Sequence, residues 1–250
     1  MLVSDPAHLD LAWSQQYRRL SQQFSRFLPR VGVLVEIGCG RGQLTIPLAE
    51  KVPRLQIIGV DLFKGVYSRS RVELLSALRS HERRIGIKVV VGDYHAWLES
   101  QPESKYDAII SSEFLPEIDD RRMRDLFVDS YRVLKASGKT VHSFLSPRPR
   151  NARQRRLIEA DSDPRWTKTP PIEWFSPAPN LVREYLKHAG FDRIRFVRLT
   201  SRLVIKSNAS KQMLKDWGIR QTYWTRNRVA LENEGLELPD WLIIKGTKIV

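Results

Sequence analysis

The amino-acid sequence predicts an α/β fold whose doubly wound, mostly parallel sheet has seven strands and helices on both faces. Short runs rich in β-branched residues alternate with longer amphipathic segments along most of the chain. The short runs are almost continuously apolar, as strands buried on both faces of a parallel sheet are. In chain order they read VGVLVEIG, LQIIGVD, IKVVVGD, YDAIISS, KTVHSFL, IRFVRLTSRLVI and DWLIIKGTKIV. The sixth run is long enough for one or two strands, and the last is expected to form an antiparallel edge strand.

Helices are predicted where apolar residues recur three or four positions apart. The first helix is predicted within 7–28, where the apolar positions are Leu11, Tyr17, Leu20, Phe24 and Phe27. Pro29 and Gly32 are expected to end it. Further helices are predicted for YSRSRVELLSALRSHERR, RMRDLFVDSYRVLK and NLVREYLKHAGF.

The length of 250 residues suits one α/β domain with insertions, so a single domain over 1–250 is predicted. Residues 1–30 would form an N-terminal helical cap. Two segments interrupt the alternation: 146–179 is dense in Pro and Arg, and 207–239 is expected to be largely helical. Ligands of open α/β sheets bind outside the carboxyl ends of the strands, so these insertions are expected to line the substrate side.

Composition excludes several classes of protein. Cys39 is the single cysteine, so no internal disulfide, Cys-rich metal site or cysteine-pair redox motif is predicted. The N-terminus lacks the basic start and apolar run of a signal peptide, and no stretch approaches membrane-spanning length. We expect no bound metal, no membrane span and a cytoplasmic location.

The chain is strongly basic, with 42 Lys and Arg residues against 28 Asp and Glu residues and a formal net charge of +14. Such a charge attracts polyanions, which makes RNA or an anionic protein surface a plausible partner. The alternative is that the Arg-rich helices are well-solvated faces.

A glycine-rich stretch and an acidic residue indicate a nucleoside site. VLVEIGCGRG places Gly38, Gly40 and Gly42 after the first predicted strand, where they permit a tight turn and close approach of a ligand to backbone amides. Asp61 ends the next strand, roughly twenty residues on, where a carboxylate can accept both ribose hydroxyls. A glycine-rich turn also serves plain strand-to-helix packing.

Six phrases resemble the successive motifs of class I S-adenosylmethionine-dependent methyltransferases. They are EIGCGRGQLTIPLAE, GVD, VVVGDYHAWL, YDAIISSEFLPEI, YRVLKASGKTVHSF and WFSPAPNLVREYLKHAGF, the last being similar to many small-molecule-type members. The resemblance runs from about Val33 to Phe191. It implies a Rossmann-like fold, S-adenosylmethionine as cofactor and transfer of its methyl group to an acceptor.

The resemblance also implies which residues hold the methionine part of the cofactor. Gly38, Cys39 and Gly40 would contact it through their backbone. Glu36 would lie under the turn and help to hold the amino group, and Ser111 would lie beside the methionine group. Glu36 has an alternative role as the cap of the nearby helix.

The adenosine part would be held by residues that follow the second and third strands. Asp61 would bind the ribose hydroxyls and Leu62 would lie against the adenine face. Asp93 would accept from the adenine amino group, and Tyr94 would flank the ring. Alternatively, Asp93 only terminates a strand at a turn and Leu62 is a core residue.

A nicotinamide-dependent enzyme is the nearest competing interpretation. The spacing of Gly38, Gly40 and Gly42 differs from the G-x-G-x-x-G form that favours a pyrophosphate at a helix N-terminus. An acidic residue under the turn, Glu36, suits a cationic sulfonium better than a polyanion.

The sequence predicts Glu113 as a catalytic base, because it follows the fourth strand and would point toward the acceptor. Other candidate bases are His95, His142 and Tyr17. As alternatives, Glu113 and Glu117 cap a helix, and His142 is a core histidine with satisfied hydrogen bonds. A base is required only if the acceptor arrives protonated.

The acceptor itself stays open between classes. The presence of Cys39 in the turn disfavours carbon-5 pyrimidine methylation, which needs a free cysteine nucleophile. SSEF stands where exocyclic-amine methyltransferases carry an Asn-Pro-Pro-Tyr or Asp-Pro-Pro-Tyr phrase, which disfavours that reaction too. A small or lipid-like acceptor is slightly favoured over RNA or a protein, and a non-catalytic binding module is the third hypothesis.

Cationic and aromatic residues are mixed in both insertions, as they are in RNA-binding surfaces. The members are Arg148, Arg150, Arg153, Arg155, Arg156, Trp166 and Trp174 in the first insertion and Lys211, Lys215, Arg220, Tyr223, Trp224, Arg226 and Arg228 in the second. The alternative is that Trp217 and Trp224, seven apart, form the apolar stripe of one lid helix while the arginines are solvated.

Overall fold

A computed structural model describes residues 1–64, 69–80, 86–167 and 177–249, and the chain divides into two compact units. The first, here the helical unit, comprises Met1–Gln16, Leu145–Ser176 and Arg198–Leu242. The second, here the sheet unit, comprises Tyr17–Phe144, Pro177–Val197 and Ile243–Val250. Trp174 lies outside the described residues. The single domain with an N-terminal cap and two acceptor-side insertions stays a prediction.

The described strands form a seven-stranded sheet and a small three-stranded sheet. They are β1 (Leu2–Val3), β2 (Gly32–Ile37), β3 (Leu55–Asp61), β4 (Ile87–Val91), β5 (Tyr106–Ser112), β6 (Leu134–Leu145), β7 (Phe191–Leu199), β8 (Val204–Ile205), β9 (Leu236–Glu237) and β10 (Trp241–Lys248). The large sheet has the order β4-β3-β2-β5-β6-β10-β7, and the small one β1-β8-β9. The predicted α/β fold with a seven-stranded, mostly parallel sheet is confirmed.

The direction in which the strands are added to the sheet reverses at β2. From β2 the chain proceeds through β3 to β4 on one side of the sheet, and then returns to β5 on the other side. All these pairings are parallel, and Ile37 at the end of β2 lies opposite Val60 of β3 and Ser111 of β5. In open α/β sheets such a reversal is where ligands bind.

The prediction that the last run is an edge strand was wrong, because β10 lies between β6 and β7. Its first four residues, Trp241 to Ile244, are buried, which is the pattern of an interior strand. A side chain at Gly246 would lie 3.1 Å from Phe191 and 3.3 Å from Thr140, on the two flanking strands. The edge strands are β7 on this side of the sheet and β4 on the other. The sixth predicted run forms two strands, β7 and β8, which belong to different sheets.

The described helices of eight or more residues are α1 (Leu9–Ser25), α3 (Ser70–Ser80), α5 (Asp120–Val133), α6 (Ala152–Ser162), α7 (Pro179–His188) and α8 (Ser207–Asp216). Shorter ones are α2 (Thr45–Lys51), α4 (Tyr94–Glu99), α9 (Gln221–Arg226) and α10 (Arg228–Asn233). The helices predicted from periodicity are all found, with part of the α3 segment outside the described residues. No helix in the described ranges is long and apolar enough to cross a membrane.

The buried stripe of α1 differs from the predicted one at its N-terminal end. Ala12, Gln16, Leu20 and Phe24, each four residues apart, are all at most 3% exposed. Leu11, predicted as part of the stripe, is 58% exposed. The small Ala12 takes the inner position, because a spacing of four keeps it on the face that Leu20 and Phe24 occupy.

The helical unit has its own apolar core, formed by residues such as Leu157, Leu214 and Leu236. Trp217 and Trp224 both pack against this cluster, as the structural alternative predicted. They do not share one helix, however: α8 ends at Asp216, and Trp224 lies in α9. Gly218, with a φ of +73°, turns the chain between the two helices.

Candidate functional site

The turn after β2 is tight and has left-handed backbone at three glycines. Gly38, Gly40 and Gly42 have φ values of +71°, +48° and +80°. The Gly38 N–H donates to the Val60 carbonyl at 2.8 Å, and the Gly42 N–H donates to the Cys39 carbonyl at 2.9 Å. Residues with a Cβ rarely adopt this backbone, so the glycines are needed for the turn. We call residues 38–42 the glycine bend.

The structure brings Asp61 to the glycine bend, as the sequence predicts. Its Oδ2 accepts from the Gly40 N–H at 2.8 Å, and its Oδ1 accepts from the Phe63 N–H at 2.8 Å. An ionised carboxylate has about four acceptor sites, so each oxygen retains capacity for a further donor. Leu62 is 42% exposed beside it, so the alternative that Leu62 is a core residue was wrong.

Glu36 lies at the end of β2, just before the glycine bend, and is buried. It is 2% exposed, and its Oε2 atom has no hydrogen-bond partner among the described residues. Burial raises the pKa of Glu36 to about 8, the nearby Thr45 hydroxyl opposes the rise, and the negative charge of Asp61 adds to it. The cap of α2 makes no side-chain hydrogen bond, so the alternative that Glu36 caps this helix was wrong.

The Cys39 side chain fills space under the bend. A side chain at Gly59 would approach the Cys39 Sγ atom to 2.8 Å, so the thiol occupies room that a glycine on β3 leaves. Burial raises the pKa of the Cys39 thiol, and the charges of Glu36 and Asp61 raise it further. The thiol therefore stays neutral and packs with Phe63 and Leu74.

The two faces of the glycine bend differ in what surrounds them. A Cβ at Gly38 would strike the Phe114 ring at 2.5 Å, whereas a Cβ at Gly40 would meet no heavy atom within 4 Å. Gly40 therefore faces open space beside the Asp61 carboxylate. The arrangement suits a nucleoside that carries an amino group. It combines the open backbone at Gly40, the acceptor carboxylate of Asp61 and the buried Glu36 Oε2, which lacks a hydrogen-bond donor among the described residues.

Asp93 and Tyr94 start α4, and both have structural partners. The Asp93 Oδ1 accepts from the His95 N–H at 3.0 Å and the Ala96 N–H at 3.2 Å, and its Oδ2 lies 3.6 Å from Arg122. Asp93 lies two residues after the end of β4, in the turn that its alternative role predicted, and it also caps α4, which the sequence did not predict. Its carboxylate stays one-third exposed.

Tyr94 is connected to the glycine bend through Phe114, which the sequence did not identify. The Tyr94 ring meets the Phe114 ring edge-on at 5.0 Å, and Phe114 lies against Gly38. The Tyr94 hydroxyl donates to the Arg122 carbonyl at 3.2 Å. Phe114 could have been found from its position two residues after the end of β5, because residues that follow a strand of a parallel sheet lie near the carboxyl ends of the strands.

Ser111 lies opposite Ile37, and its side chain bonds to a histidine. Its Oγ is 2.8 Å from Nδ1 of His142, whose Nε2 is 2.6 Å from the Thr140 Oγ1, and all three residues are buried. Burial lowers the pKa of His142 to about 3, so the ring stays neutral. His142 is a core histidine with satisfied hydrogen bonds, as its alternative role predicted.

Glu113 has a strained backbone at the carboxyl end of β5. Its φ is +55°, and its N–H donates to the Ser143 carbonyl at 2.9 Å. Tyr17 of α1 is buried nearby: burial raises its pKa, the Glu113 charge raises it further, and a hydrogen bond to Ser112 opposes the rise. Strain that a fold retains is often connected with function.

The alternative helix-capping role of Glu113 and Glu117 is not seen. The short 3-10 helix at Leu115–Glu117 has no side-chain cap, and Asp119 caps α5. His95, the remaining candidate base, lies 3.0 Å from Asp129 and 3.4 Å from Glu99, so its ring belongs to the α4–α5 surface rather than to the bend.

Within the helical unit, several arginines of the predicted basic surface are engaged in ion pairs. Arg150 lies 2.6 Å from Glu237 and 3.4 Å from Asp240, which are 6% and 1% exposed. Arg156 pairs with Glu234. The charges of these arginines are therefore compensated within the unit, and loss of Arg150 would leave two buried carboxylates without this partner.

The chain is similar to methyltransferases. Residues 34–138 match the family described as methyltransferase domain. Malonyl-[acyl-carrier protein] O-methyltransferase of Priestia megaterium is 31% identical over 106 residues, which are 42% of this chain and 35% of that protein, so the chain spans about a third of this relative.

Solved structures have the same fold. A SAM-dependent methyltransferase from Archaeoglobus fulgidus superimposes with a TM-score of 0.62 at 19% identity, covering 94% of each chain. Haemonchus contortus phosphoethanolamine N-methyltransferase 2, in complex with phosphomonomethylethanolamine and S-adenosylhomocysteine, gives a TM-score of 0.57 at 16% identity over 93% of this chain and 53% of that one.

Alanine substitutions at three glycines distinguish the cost in stability of left-handed backbone from the cost of a steric clash. Gly92 has ordinary backbone and free space around it, so Gly92→Ala should leave stability unchanged. Gly40→Ala should cost about 1–2 kcal/mol, the penalty of left-handed backbone. Gly38→Ala should cost more, because its Cβ also strikes Phe114. Urea denaturation measures the three losses, and equal losses at Gly38 and Gly40 would contradict this packing.

Proposed function

We propose that this chain, which belongs to the class I S-adenosylmethionine-dependent methyltransferase superfamily, binds S-adenosylmethionine at the glycine bend and methylates a small or lipid-like acceptor. The observation that carries the proposal is the buried Oε2 of Glu36, which has no partner among the described residues and lies next to a bend whose Gly40 is open and bonded to Asp61. Together these groups offer acceptors to an amino group and to ribose hydroxyls.

The cofactor contacts that we propose follow from these positions. Gly38, Cys39 and Gly40 would contact the methionine part through their backbone, with Glu36 near its amino group and Ser111 at the neighbouring strand end. The adenosine part would lie along Asp61 and the exposed Leu62, toward Asp93 and Tyr94. Support comes from the parallel pairing of β2 with β3 and β5 and of β3 with β4, which brings the ends of these strands to one edge of the sheet.

A bound sulfonium supplies an activated methyl group, so positioning is the main task that remains for the protein. We propose that Glu113 takes the proton from an acceptor hydroxyl or ammonium at one of its carboxylate oxygens. Its strained backbone is retained at the carboxyl end of β5, where ligands of this fold class bind. Tyr17, with its raised pKa, keeps its proton and would orient the carboxylate rather than act as the base.

The acceptor class rests on the curated relative, whose name describes methylation of a malonyl group on a carrier protein. A small or lipid-like acceptor is the common element that we carry to this chain. We also infer a cytoplasmic location, because a chain with a single cysteine uses no internal disulfide, as is usual for proteins of a reducing compartment.

RNA or an anionic protein is a second candidate acceptor, favoured by cations that surround two indoles of the helical unit. Arg226 lies 5.7 Å from the Trp166 ring, and Lys211 lies 5.1 Å from the Trp224 ring. Neither cation pairs with an acid in the part of the chain that the structure describes. Against this candidate, both indoles pack against the apolar core, and Arg150 and Arg156 are paired.

Replacement of Asp61 should abolish tight binding of the cofactor. Asp61→Ala removes a bidentate contact with the ribose that is worth roughly 1.5 to 3 kcal/mol in total, so affinity for S-adenosylmethionine and S-adenosylhomocysteine should fall more than tenfold. Calorimetry measures this, and Asp163→Ala, at an acid paired with Arg165 in the helical unit, is the control. If neither compound binds the unaltered protein, the proposed function is wrong.

Salt dependence distinguishes the two acceptor classes. A lysate supplied with methyl-labelled S-adenosylmethionine is separated into RNA, protein and small molecules, and label is expected in the small-molecule fraction. The rate of methyl transfer should change little between low and physiological salt. A small acceptor carries few condensed counterions, so its binding releases few of them. Label in RNA, with a steep loss of rate as salt increases, would favour the second candidate; label in no fraction would favour a non-catalytic binding module.

A further inference from the structure

Three cations of the sheet unit lie together on one face of the large sheet. Lys245 and Thr247 are two residues apart on β10, so their side chains share a face. On β6, the Lys139 Nζ donates to the Thr247 Oγ1 at 3.3 Å. Burial lowers the pKa of Lys139, and the nearby charges of Lys245 and of Arg193 on β7 lower it further. We call Lys139, Arg193, Lys245 and Thr247 the cationic cluster.

The chain supplies no acid to the cationic cluster. None of its three cations forms an ion pair with an acid in the part of the sequence that the structure describes. Asp192, next to Arg193 in the chain, uses its Oδ1 to accept from the Arg193 N–H at 2.6 Å. Lys245 lies 4.6 Å from the centre of the Phe27 ring, a contact that leaves its charge in place. An ammonium has three N–H donors, and the contact with β10 uses one of those of Lys139.

Other cations near the ends of these strands have compensating partners. Lys135, at the start of β6, donates to both oxygens of the Asp107 carboxylate at 2.9 Å. Lys248, at the end of β10, donates to the carbonyls of Tyr131 and Leu134, both at 2.8 Å. Like charges that are held together without a counter-ion repel each other, and partial burial strengthens this repulsion. An anion from outside the chain would remove it.

We propose that the cationic cluster binds a phosphate group. Its ligand would be inorganic phosphate or the phosphate of a small ester, bound by the ammonium groups of Lys139 and Lys245 and the guanidinium of Arg193. A phosphate group carries nearly two negative charges near pH 7 and has three or more acceptor oxygens, which matches three cations that lack acids. The Thr247 hydroxyl accepts from Lys139 and can donate its own hydrogen to the same ligand. No covalent bond changes.

The cationic cluster lies away from the carboxyl ends of β2 and β5, where we place methyl transfer. Lys139 lies opposite Ala108 of β5, whereas Ser143 lies opposite Ser112 at the end of that strand. Four residues of strand span about 13 Å. In addition, β10 and β7 are the second and third strands beyond β5 in the sheet. A phosphate bound here would not contact the reacting atoms, so the inference goes beyond the proposed function.

Titration of the amide NMR spectrum with inorganic phosphate tests the proposal. The measurement is made at pH 7.5 and at constant ionic strength, with chloride as the replaced anion, so that general screening of a basic protein stays the same. We expect saturable shifts centred on residues 139, 193, 245 and 247. Acetate, which has a single negative charge, should bind about threefold more weakly or less tightly still, because its attraction to the three cations is smaller.

Substitutions of the two lysines assign the binding to the cationic cluster. Lys139→Gln and Lys245→Gln should each weaken phosphate binding roughly threefold to tenfold, because each removes one charged donor from a partly exposed site. Lys88→Gln, at an exposed lysine of the opposite edge strand β4, removes the same charge and should bind phosphate as the unaltered protein does. If one cluster variant does not fold, the other and the titration of the unaltered protein still decide.

Glycerol 3-phosphate identifies the source of the phosphate group. If it binds as tightly as inorganic phosphate, the result supports a small phosphate ester as the ligand; if only inorganic phosphate binds, the result supports the free ion.

Three outcomes would overturn the inference. They are shifts that increase without saturation over all basic surfaces, equal phosphate affinity in both cluster variants and the unaltered protein, and displacement of S-adenosylhomocysteine by phosphate. The last would place phosphate in the proposed cofactor site. Failure of S-adenosylhomocysteine to bind would contradict the proposed function alone, because phosphate binding at the cationic cluster is measured without it.

Discussion

The two hydrogen bonds that the Asp61 carboxylate accepts, from the Gly40 and Phe63 amides, determine the geometry of the whole site. They join the carboxyl end of β3 to the glycine bend after β2, which parallel pairing has already brought to the same edge of the sheet. A charge-assisted acceptor of this kind is stronger than a neutral one, so it can fix one conformation of a bend whose glycines have many available to them. With the bend held in this way, Gly40 stays open and Glu36 is enclosed beside it. The chemistry that we propose for each neighbouring residue depends on this arrangement.

Much of this arrangement could be predicted from the sequence, because it depends on local patterns. Apolar runs gave the strands, and the spacing of glycines and of Asp61 indicated the bend and its acid, since strand ends in a parallel sheet meet at one edge. The pairing of distant strands was harder to predict. The terminal position of β10 suggested an edge strand, yet β10 lies between β6 and β7. Side-chain partners were least accessible. No sequence pattern indicates that the Ser111 hydroxyl forms a hydrogen bond with His142, or that the Phe114 ring packs against Gly38.

The treatment of buried charge differs between the two units of the chain. In the helical unit Arg150 compensates the buried acids Glu237 and Asp240, so part of the arginine surplus neutralises buried carboxylates. In the sheet unit Glu36 is buried near the Asp61 carboxylate and near two neutral groups, the Tyr17 phenol and the Cys39 thiol. A buried carboxyl group next to a second carboxylate would favour a cationic ligand over a polyanion. The proposed site therefore differs from a pyrophosphate site. The same contrast indicates that net charge is a poor guide to the ligand of a particular pocket.

The central claim is that the Asp61 carboxylate and the glycine bend together form the cofactor cradle. A crystal structure of the protein grown with S-adenosylhomocysteine tests it most directly. The account predicts ribose hydroxyls within hydrogen-bond distance of Asp61, the amino acid part along residues 38–40 and the ammonium nearest to Glu36. Electron density for the ligand at another place, or a bend closed over the space beside Gly40, would contradict it.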